Sequence, residues 1–353
     1  MSVNFAPIPT SADLPEALPT SLTALLDIRV PVIQAPIGSF SCPALAAAVS
    51  EAGGLGTLAV SWDSLSGCRE KILATRAATQ AAFAVNLVLE WDQVDRLNAC
   101  LDSGVRIISF FWGDASRYIA LTHKAGAKAI VIVGDSEEAR RAREAGADAI
   151  VCQGFEAGGH VRGTTGSIAL IPAVVDAVAP VPVVAAGGFA DGRGLAAALA
   201  LGASGVWMGT RFSASTESLA HPEFKIRLVA ARENDTEYLT LFDRGWPNAP
   251  HRVLRNSTVN AWSKAGHPKP GRRPYEEQVI GYTANGEAIY RYEDIPPVTA
   301  MRGDWEACAL YAGQGAGLIR DIRSAGAIMN EIVRDARETI ASLAQASLGN
   351  LSR

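Results

Sequence analysis

The sequence predicts an α/β fold, a (β/α)8 barrel with a smaller inserted subdomain, on three observations. Eight short runs rich in apolar and β-branched residues recur between residues 30 and 210. Longer amphipathic segments separate these runs, which is typical of repeated βα units and a parallel sheet. After residue 211 the pattern stops, and prolines, tryptophans, tyrosines and charged residues take over. Eight units favour a closed barrel over an open doubly wound sheet, which is the alternative.

The predicted strands cover residues 32–35, 55–59, 82–87, 106–110, 129–133, 149–152, 183–186 and 205–208. A helix is expected over 44–51, because Ser41, Cys42 and Pro43 offer a cap and a first-turn proline. Ala-Gly-Ala or Leu-Gly-Ala triplets, each typical of a helix end before a strand, occur at 125–127, 145–147 and 201–203. A late helix over about 316–343, broken near Gly326, is expected to close the barrel.

The change of pattern predicts two parts of the chain. Residues 1–215 and 301–353 form the barrel, and residues 216–300 form an inserted substrate or lid subdomain with short helices such as 223–232. Within the insertion, residues 244–275 contain seven Lys or Arg residues and no acid. This stretch predicts either a positive face for an anionic ligand or a solvated or subunit-contacting surface.

Composition narrows the function classes. The chain has 353 residues, 48% of them apolar and 19% charged, and a net charge of -4. These values favour a compact globular protein and give no basic field for nucleic acid or an anionic membrane. The N-terminus lacks the pattern of a signal peptide, and no long apolar stretch is present. Five scattered cysteines, an odd number without CxxC spacing, favour a reduced, cytoplasmic location.

Glycines follow the last two predicted strands. The seventh strand runs into Gly187 and Gly188, and the eighth runs through Trp207 and Met208 into Gly209 and Thr210. In a barrel these loops are neighbours, and glycine lets backbone N–H groups approach a phosphate closely. The pair therefore predicts a phosphate-bearing cofactor, although glycines can also serve only to permit tight turns.

Amide side chains occupy the ends of other predicted strands. Gln34 lies in the first strand, Asn86 in the third, and Gln153 ends the sixth. Amides both donate and accept hydrogen bonds, as the edge of a heterocycle such as flavin requires. The alternative is that each amide satisfies a neighbouring backbone group in the barrel core.

His160 is the candidate catalytic residue. It ends the glycine-rich run QGFEAGGH (153–160), which directly follows the sixth predicted strand. A histidine on such a loop is poorly suited to a packed core and well suited to reaching a ligand. It can take a proton from carbon or donate a hydrogen bond to developing negative charge. Glu156, the nearest acid, is expected to orient or restrain the loop rather than react.

Several ordered motifs resemble the nitronate monooxygenase family, formerly called 2-nitropropane dioxygenases. They are IQAPIGSF (33–40), AAAVSEAGGLGTL (46–58), AVNL (84–87), QGFEAGGHVRG (153–163), PVVAAGGFADGRG (182–194) and WMGTRF (207–212). The resemblance spans residues 30–212 and resumes at 309–315. It is highly specific for FMN-dependent barrels and less specific for the reaction.

The resemblance implies a TIM barrel that holds FMN and no metal. It places Ala35, Pro36 and Ile37 beside the flavin ring, with Asn86 and Gln153 as its hydrogen-bonding partners. It assigns the phosphate end of the cofactor to Gly158, Gly188, Gly209 and Thr210, and the cofactor set also includes Gly187, Trp207 and Met208. His160 matches the family's catalytic histidine. Two positions depart from the family, which often has methionine at Ile37 and glutamine at Trp207.

The implied reaction is oxidation of an alkyl nitronate of the propionate 3-nitronate type by O2, giving a carbonyl compound and nitrite. His160 would either stabilise the anionic nitronate or remove the α-proton of a neutral nitroalkane. The expected partners are a small-molecule substrate and O2, with no nucleic acid and no membrane, and a homodimer is a possible assembly.

Three alternatives stay open at this point. The first is an FMN-dependent enoyl-acyl-carrier-protein reductase or related NAD(P)H-dependent flavin oxidoreductase, in which the basic stretch 244–275 would dock an acidic carrier. The second is a non-catalytic flavin-binding protein. The third is a specialised flavin oxidase whose substrate is set by the insertion.

Overall fold

Eight parallel strands form the centre of the protein, as predicted. The computed structural model describes residues 15–349. Around the sheet the strands follow the order of the chain. A parallel bridge between Ile33 and Leu55 joins the two edge strands and closes the barrel. The strands are β1 Val32–Gln34, β2 Gly56–Ala59, β3 Phe83–Val88, β4 Ile107–Phe111, β5 Lys128–Val133, β6 Ala149–Gln153, β8 Val183–Ala186 and β9 Gly205–Met208. Each lies within two residues of its predicted range, so the barrel is confirmed.

Helices surround the barrel. Helix α1, Ser21–Leu26, covers its N-terminal end, where Leu22 and Leu26 pack into the core inside the strands. The helices between strands are α2 Pro43–Glu51, α3 Leu65–Ala78, α4 Val94–Asp102, α5 Ser116–Lys124, α6 Ser136–Glu144, α7 Ser167–Val178 and α8 Gly192–Ala200. Cys42 caps α2 through its sulfur, as the Ser-Cys-Pro sequence predicted.

The late helix returns to the barrel but begins later than predicted. Helix α12 covers Ala325–Gly349 and packs against α8 and α2. The preceding segment, Gln314–Leu318, is instead a short 3-10 helix at the rim of the barrel. The predicted start at 316 was therefore wrong, because residues 319–324 are not helical.

The chain between the barrel and α12 adds two small antiparallel sheets. Its elements are α9 Thr210–Ser213, α10 Pro222–Ala230, β10 Thr236–Leu239, β11 His251–Leu254, α11 Ser257–Lys264, β12 Val279–Tyr282, β13 Ala288–Tyr290 and β14 Arg302–Gly303. One sheet has the order β13-β12-β14. The other has the order β10-β11-β7, and β7 is Gly159–His160 from the loop after β6. The insertion is thus joined by backbone pairing to the loop that carries His160. The limits 216 and 300 themselves stay a prediction.

Three further sequence expectations concern the chain as a whole. Within residues 15–349, no helix is both long and apolar enough to cross a membrane. The five cysteines are buried and unpaired as disulfides. Most of the segment considered for a signal peptide, residues 1–14, lies outside the described residues.

Candidate functional site

A cavity of about 460 Å³ opens at the C-terminal ends of the barrel strands. In a (β/α)8 barrel this is the end at which ligands bind. Twelve of the predicted site residues line it: Ala35, Pro36, Ile37, Asn86, Gln153, Gly158, His160, Gly187, Gly188, Trp207, Gly209 and Thr210. The structure therefore brings together residues that are up to 175 positions apart in the sequence.

Met208 is the predicted site residue that the structure does not bring to the cavity. Its neighbour Trp207 packs inside the barrel, whereas Met208 packs into the core between strands and helices. Side chains alternate between the two faces of a strand, so adjacent residues cannot both point inward. The alternation of β9 was the signal that separates the two.

Gln34 also stays outside the cavity and has a structural role. Its side chain is fully buried, and its Oε1 accepts a hydrogen bond from the backbone N–H of Thr57 at 2.9 Å. Its Nε2 donates to the carbonyl of Ala35. The amide therefore ties β1 to β2 near the closure of the barrel.

The loops after β8 and β9 bring backbone close to the cavity. Gly187 and Gly188 have φ values of +100° and +81°, a region that side chains rarely adopt. A Cβ on Gly187 would lie 2.8 Å from the carbonyl oxygen of Gly154. The loop at Gly313 joins this wall, since its N–H donates to Thr210 Oγ1 at 3.1 Å. Backbone rather than side chains thus forms this side of the cavity.

The two predicted amides at the cavity differ in the hydrogen bonds that they form within the protein. Asn86 donates through Nδ2 to Ser109 Oγ at 3.0 Å. Gln153 donates through Nε2 to the carbonyl of His160 at 3.0 Å, and its buried Oε1 has no partner in the described chain. A buried acceptor without a donor is costly unless a ligand supplies one. Gln153 Oε1 therefore fits a ligand with a hydrogen-bond donor, such as a flavin ring edge.

Pairing with the insertion fixes the position of His160. In the β7–β11 pair His160 is opposite His251. The imidazole of His160 stacks on Trp246, with ring centroids 4.1 Å apart and planes at 29°. Trp112 meets the same imidazole edge-on, with centroids 6.2 Å apart. The ring is therefore held between an insertion residue and a residue from the end of β4.

Burial keeps His160 uncharged. Desolvation, and to a lesser degree the nearby His251, lower the pKa of His160 to about 3. His251 is itself neutral near pH 7, because burial lowers its pKa to about 4. Its Nδ1 lies 2.9 Å from the carbonyl of Ala249, and its Nε2 accepts from the N–H of Phe242 at 3.2 Å. The Nε2 of His160 is buried and has no hydrogen-bond partner among residues 15–349.

Glu156 restrains the loop, as expected from the sequence. Its carboxylate accepts hydrogen bonds from the N–H and Oγ of Ser167, at the start of α7. The neighbouring Phe155 carbonyl accepts from the guanidinium of Arg252 at 2.9 Å, and this guanidinium lies over the Phe155 ring. Arg252 thereby fastens the insertion to the loop that carries His160.

Sequence reasoning missed many side chains that line the cavity, among them Trp62, Trp246, Asp294 and Tyr311. Asp294 has no ion pair in the described chain, and burial, helped by Glu293 and Asp243, raises the pKa of its carboxyl to about 6. Tyr311 donates its hydroxyl to the carbonyl of Asp294 at 3.3 Å. The sequence held one signal, since Tyr311 lies in the segment 309–315 where the family resemblance resumes.

Three of the seven basic residues in the stretch 244–275 pair with acids outside it. Arg255 pairs with Glu237 at 2.8 Å, and Arg244 reaches Glu277 at 3.7 Å. Arg273 is buried and pairs with both Asp243 and Glu276. Of the other four, Lys264, Lys269 and Arg272 are exposed and form no ion pair within the described chain, and Arg252 is buried and bonded to the Phe155 carbonyl. The surface interpretation thus fits most of the stretch.

Comparison with known proteins places the chain in one family. The family model described as nitronate monooxygenase matches residues 19–96 and 90–335. A protein of Mycobacterium tuberculosis is 35% identical over 346 residues, covering 90% of this chain and 96% of its own. That relative is named (3aS,4S,5R,7aS)-5-hydroxy-7a-methyl-1-oxo-octahydro-1H-indene-4-carboxyl-CoA dehydrogenase.

Solved structures give the same fold. The structure of FabK from Thermotoga maritima is 34% identical, with a TM-score of 0.81, and covers 93% of this chain and 99% of its own. That of nitroalkane oxidase from Streptomyces ansochromogenes is 29% identical, with a TM-score of 0.73, and covers 91% of this chain and 99% of its own. The similarity therefore includes the barrel and the insertion.

Proposed function

The chain belongs to the nitronate monooxygenase family, and we propose that it is an FMN-dependent enzyme that oxidises nitroalkyl compounds with O2. The products are a carbonyl compound and nitrite, and the entering substrate is the neutral nitroalkane, whose α-proton is taken by His160. One observation carries this proposal, namely the buried and unpartnered Nε2 of a neutral imidazole in the cavity wall. The similarity to a nitroalkane oxidase supports it.

The state of His160 favours proton removal over anion binding. An imidazole with a pKa of about 3 carries no positive charge near pH 7, and in the tautomer protonated at Nδ1 its Nε2 presents a lone pair. Negative charge that develops on the substrate raises the pKa of the neighbouring imidazole, which helps the proton to arrive there. The stack on Trp246 holds the ring in one orientation while this happens.

The residues around the cavity fit a flavin mononucleotide. Gln153 Oε1 is free to accept from the ring, Asn86 lies at the same strand ends, and Ala35, Pro36 and Ile37 offer an apolar surface. Gly158, Gly188, Gly209 and Thr210 would hold the phosphate, with Gly187 and Trp207 beside it. When bound, FMN supplies acceptance of electrons from the substrate and their delivery to O2.

A His160→Asn variant tests the proton-removal step. We expect anaerobic flavin reduction by a neutral nitroalkane to slow by about 10²–10⁴-fold, the range for loss of a general base. The preformed nitronate lacks the α-proton, so flavin reduction by it should be nearly unchanged. Near-native reduction by the neutral nitroalkane in the variant would remove His160 from this role.

A second candidate is a flavin-dependent oxidoreductase of an acyl thioester. The relative of Mycobacterium tuberculosis, which is named as a carboxyl-CoA dehydrogenase, favours it at 35% identity over nearly the whole chain. This candidate includes the enoyl-acyl-carrier-protein reductase considered above. Rapid anaerobic bleaching of the flavin by NADH or NADPH, with none by nitroalkane or nitronate, would replace the first proposal with this one.

A further inference from the structure

Four of the seven tryptophans form a cluster, and two of them, Trp62 and Trp246, line the cavity. Trp62, Trp91 and Trp112 follow β2, β3 and β4, and each contacts Trp246 of the insertion. The ring centroids lie 6.4, 5.3 and 4.9 Å from that of Trp246, in this order. Residues from three separate barrel loops therefore form one aromatic wall with Trp246. Trp246 also stacks on the imidazole of His160 and so connects the wall to it.

This wall is not buried as a core would be. Trp62 is 55% exposed and Trp91 is 38% exposed, whereas Trp246 is 2% exposed. Trp62 and Trp246 both line the cavity. Clustered, exposed aromatic side chains at the mouth of a cavity are typical of a ligand-binding surface. Rigid indole faces offer a large apolar contact area and favour a flat or ring-shaped apolar group.

The charge of the cavity limits the ligand further. No Lys or Arg is among the described residues that line it, and Asp294 is their only carboxyl. His160 provides no positive charge near pH 7. Backbone N–H groups of the glycine loops would hold a cofactor phosphate, but an anionic substrate beside His160 and Trp246 would lose its water and meet the Asp294 carboxylate with no Lys or Arg among the described lining residues. A small dianion such as propionate 3-nitronate is therefore a poor match.

We propose that the cavity selects an uncharged substrate carrying a ring-sized hydrocarbon group, that Trp62 and Trp246 bind this group, and that Asp294 rejects anionic analogues. The proposal rests on the proposed function only in that it concerns the same cavity. It names a substrate class and does not depend on which reaction follows. It also departs from the propionate 3-nitronate type of substrate that the family resemblance implies.

Calorimetric titration of the flavin-loaded protein with unreactive ligands tests the substrate class. Cyclohexanecarboxamide should bind at least about tenfold more tightly than propionamide at pH 8, with a negative heat-capacity change from apolar burial. Cyclohexanecarboxylate, which has the same ring and a negative charge, should bind about tenfold more weakly than the carboxamide. Equal affinity for the two cyclohexane ligands, or for the two amides, would overturn the proposal.

Two variants assign the effect to residues. Trp62→Ala should lose about tenfold in affinity for cyclohexanecarboxamide and almost none for propionamide. Tyr282→Ala is the matched control, because Tyr282 is 47% exposed and does not line the cavity; it should change neither affinity. Asp294→Asn should raise the affinity for cyclohexanecarboxylate and leave that for cyclohexanecarboxamide unchanged. An unchanged preference in the Trp62 and Asp294 variants would contradict the assignment.

These titrations are independent of turnover. If nitroalkanes fail to reduce the flavin but the ring and charge preferences hold, the proposed reaction is wrong and the substrate class stands. If nitroalkanes are oxidised but the preferences are absent, the reverse follows.

Discussion

The cavity is built by two regions that hold their residues in different ways. The barrel rim places Asn86, Gln153 and the glycines at the ends of parallel strands, where a repeated βα unit fixes each position. The insertion places Trp246 and Asp294 through irregular loops held by two small sheets and by buried arginines. The regular rim is therefore suited to a fixed ligand site, and differences in the insertion can alter which substrates the cavity accepts.

The two regions meet at Trp246, and removing this side chain should have the largest effect on stability. Trp246→Ala deletes a 2% exposed indole that packs with Val88, Ala249 and His160. We expect the free energy of unfolding to fall by about 3–5 kcal/mol, as for other buried aromatic truncations. Urea denaturation measures it. Trp62→Ala, which removes a 55% exposed indole from the rim, should cost less than about 1 kcal/mol.

That contrast also tests whether the regions unfold together. A single transition in both variants would show that insertion and barrel form one cooperative unit. Equal losses in the two variants would contradict the central place given to Trp246.

Gly158 tests the barrel side of the comparison, because its backbone lies against that of Ala312 and Gly313. A Cβ there would lie 2.2 Å from the N of Gly313 and 2.4 Å from the C of Ala312, and no side-chain rotation relieves backbone overlap. Gly158→Ala should therefore destabilise by about 3 kcal/mol and weaken flavin retention. Gly159→Ala is the control: its Cβ would meet nothing within 4 Å, so only the φ of +73° is strained, at about 1 kcal/mol. Thermal unfolding and the absorbance of bound flavin compare the two variants. Equal losses of stability would refute a steric overlap at Gly158.

Sequence reasoning located the rim much better than the insertion. Strands and glycine loops were predictable because apolar, β-branched runs and helix-ending triplets are local signals. Met208 was predicted together with Trp207, but the alternation of β9 directs its side chain into the core between strands and helices. Asp294 and Trp246 gave no such signal, since the insertion meets the His160 loop through the pairing of β7 with β11, 91 residues apart at His160 and His251. Long-range pairing of short, irregular strands has no sequence period.

The buried histidines give the junction a pH dependence. His160 and His251 have folded pKa values of about 3 and about 4, below the usual 6.5. Between those folded values and pH 6.5, the unfolded state therefore binds more protons than the folded state. The free energy of unfolding should therefore fall as pH drops from 6.5 towards 4, and Asp294, with its raised pKa, opposes part of this fall. A net loss of about 2 kcal/mol is expected. Urea midpoints across this range measure it, and His160→Asn should flatten the slope.

Replacement of Asp294 should have the smallest effect on the free energy of unfolding, and this effect should be stabilising. Its carboxyl titrates at about 6 in the folded chain against 3.8 for the ordinary side chain, so its ionised form destabilises the fold above pH 6. Asp294→Asn should thus stabilise the protein at pH 7.5 by about 1 kcal/mol, a gain that disappears as pH falls through 6 and below. Asp243→Asn, a change in the same insertion, instead removes the partner of buried Arg273 and should destabilise. Denaturation midpoints at pH 7.5 and pH 5 compare the two. A destabilised Asp294→Asn variant would mean that the carboxylate supports the insertion, whereas the expected gain identifies it as a residue retained for the ligand at the expense of stability.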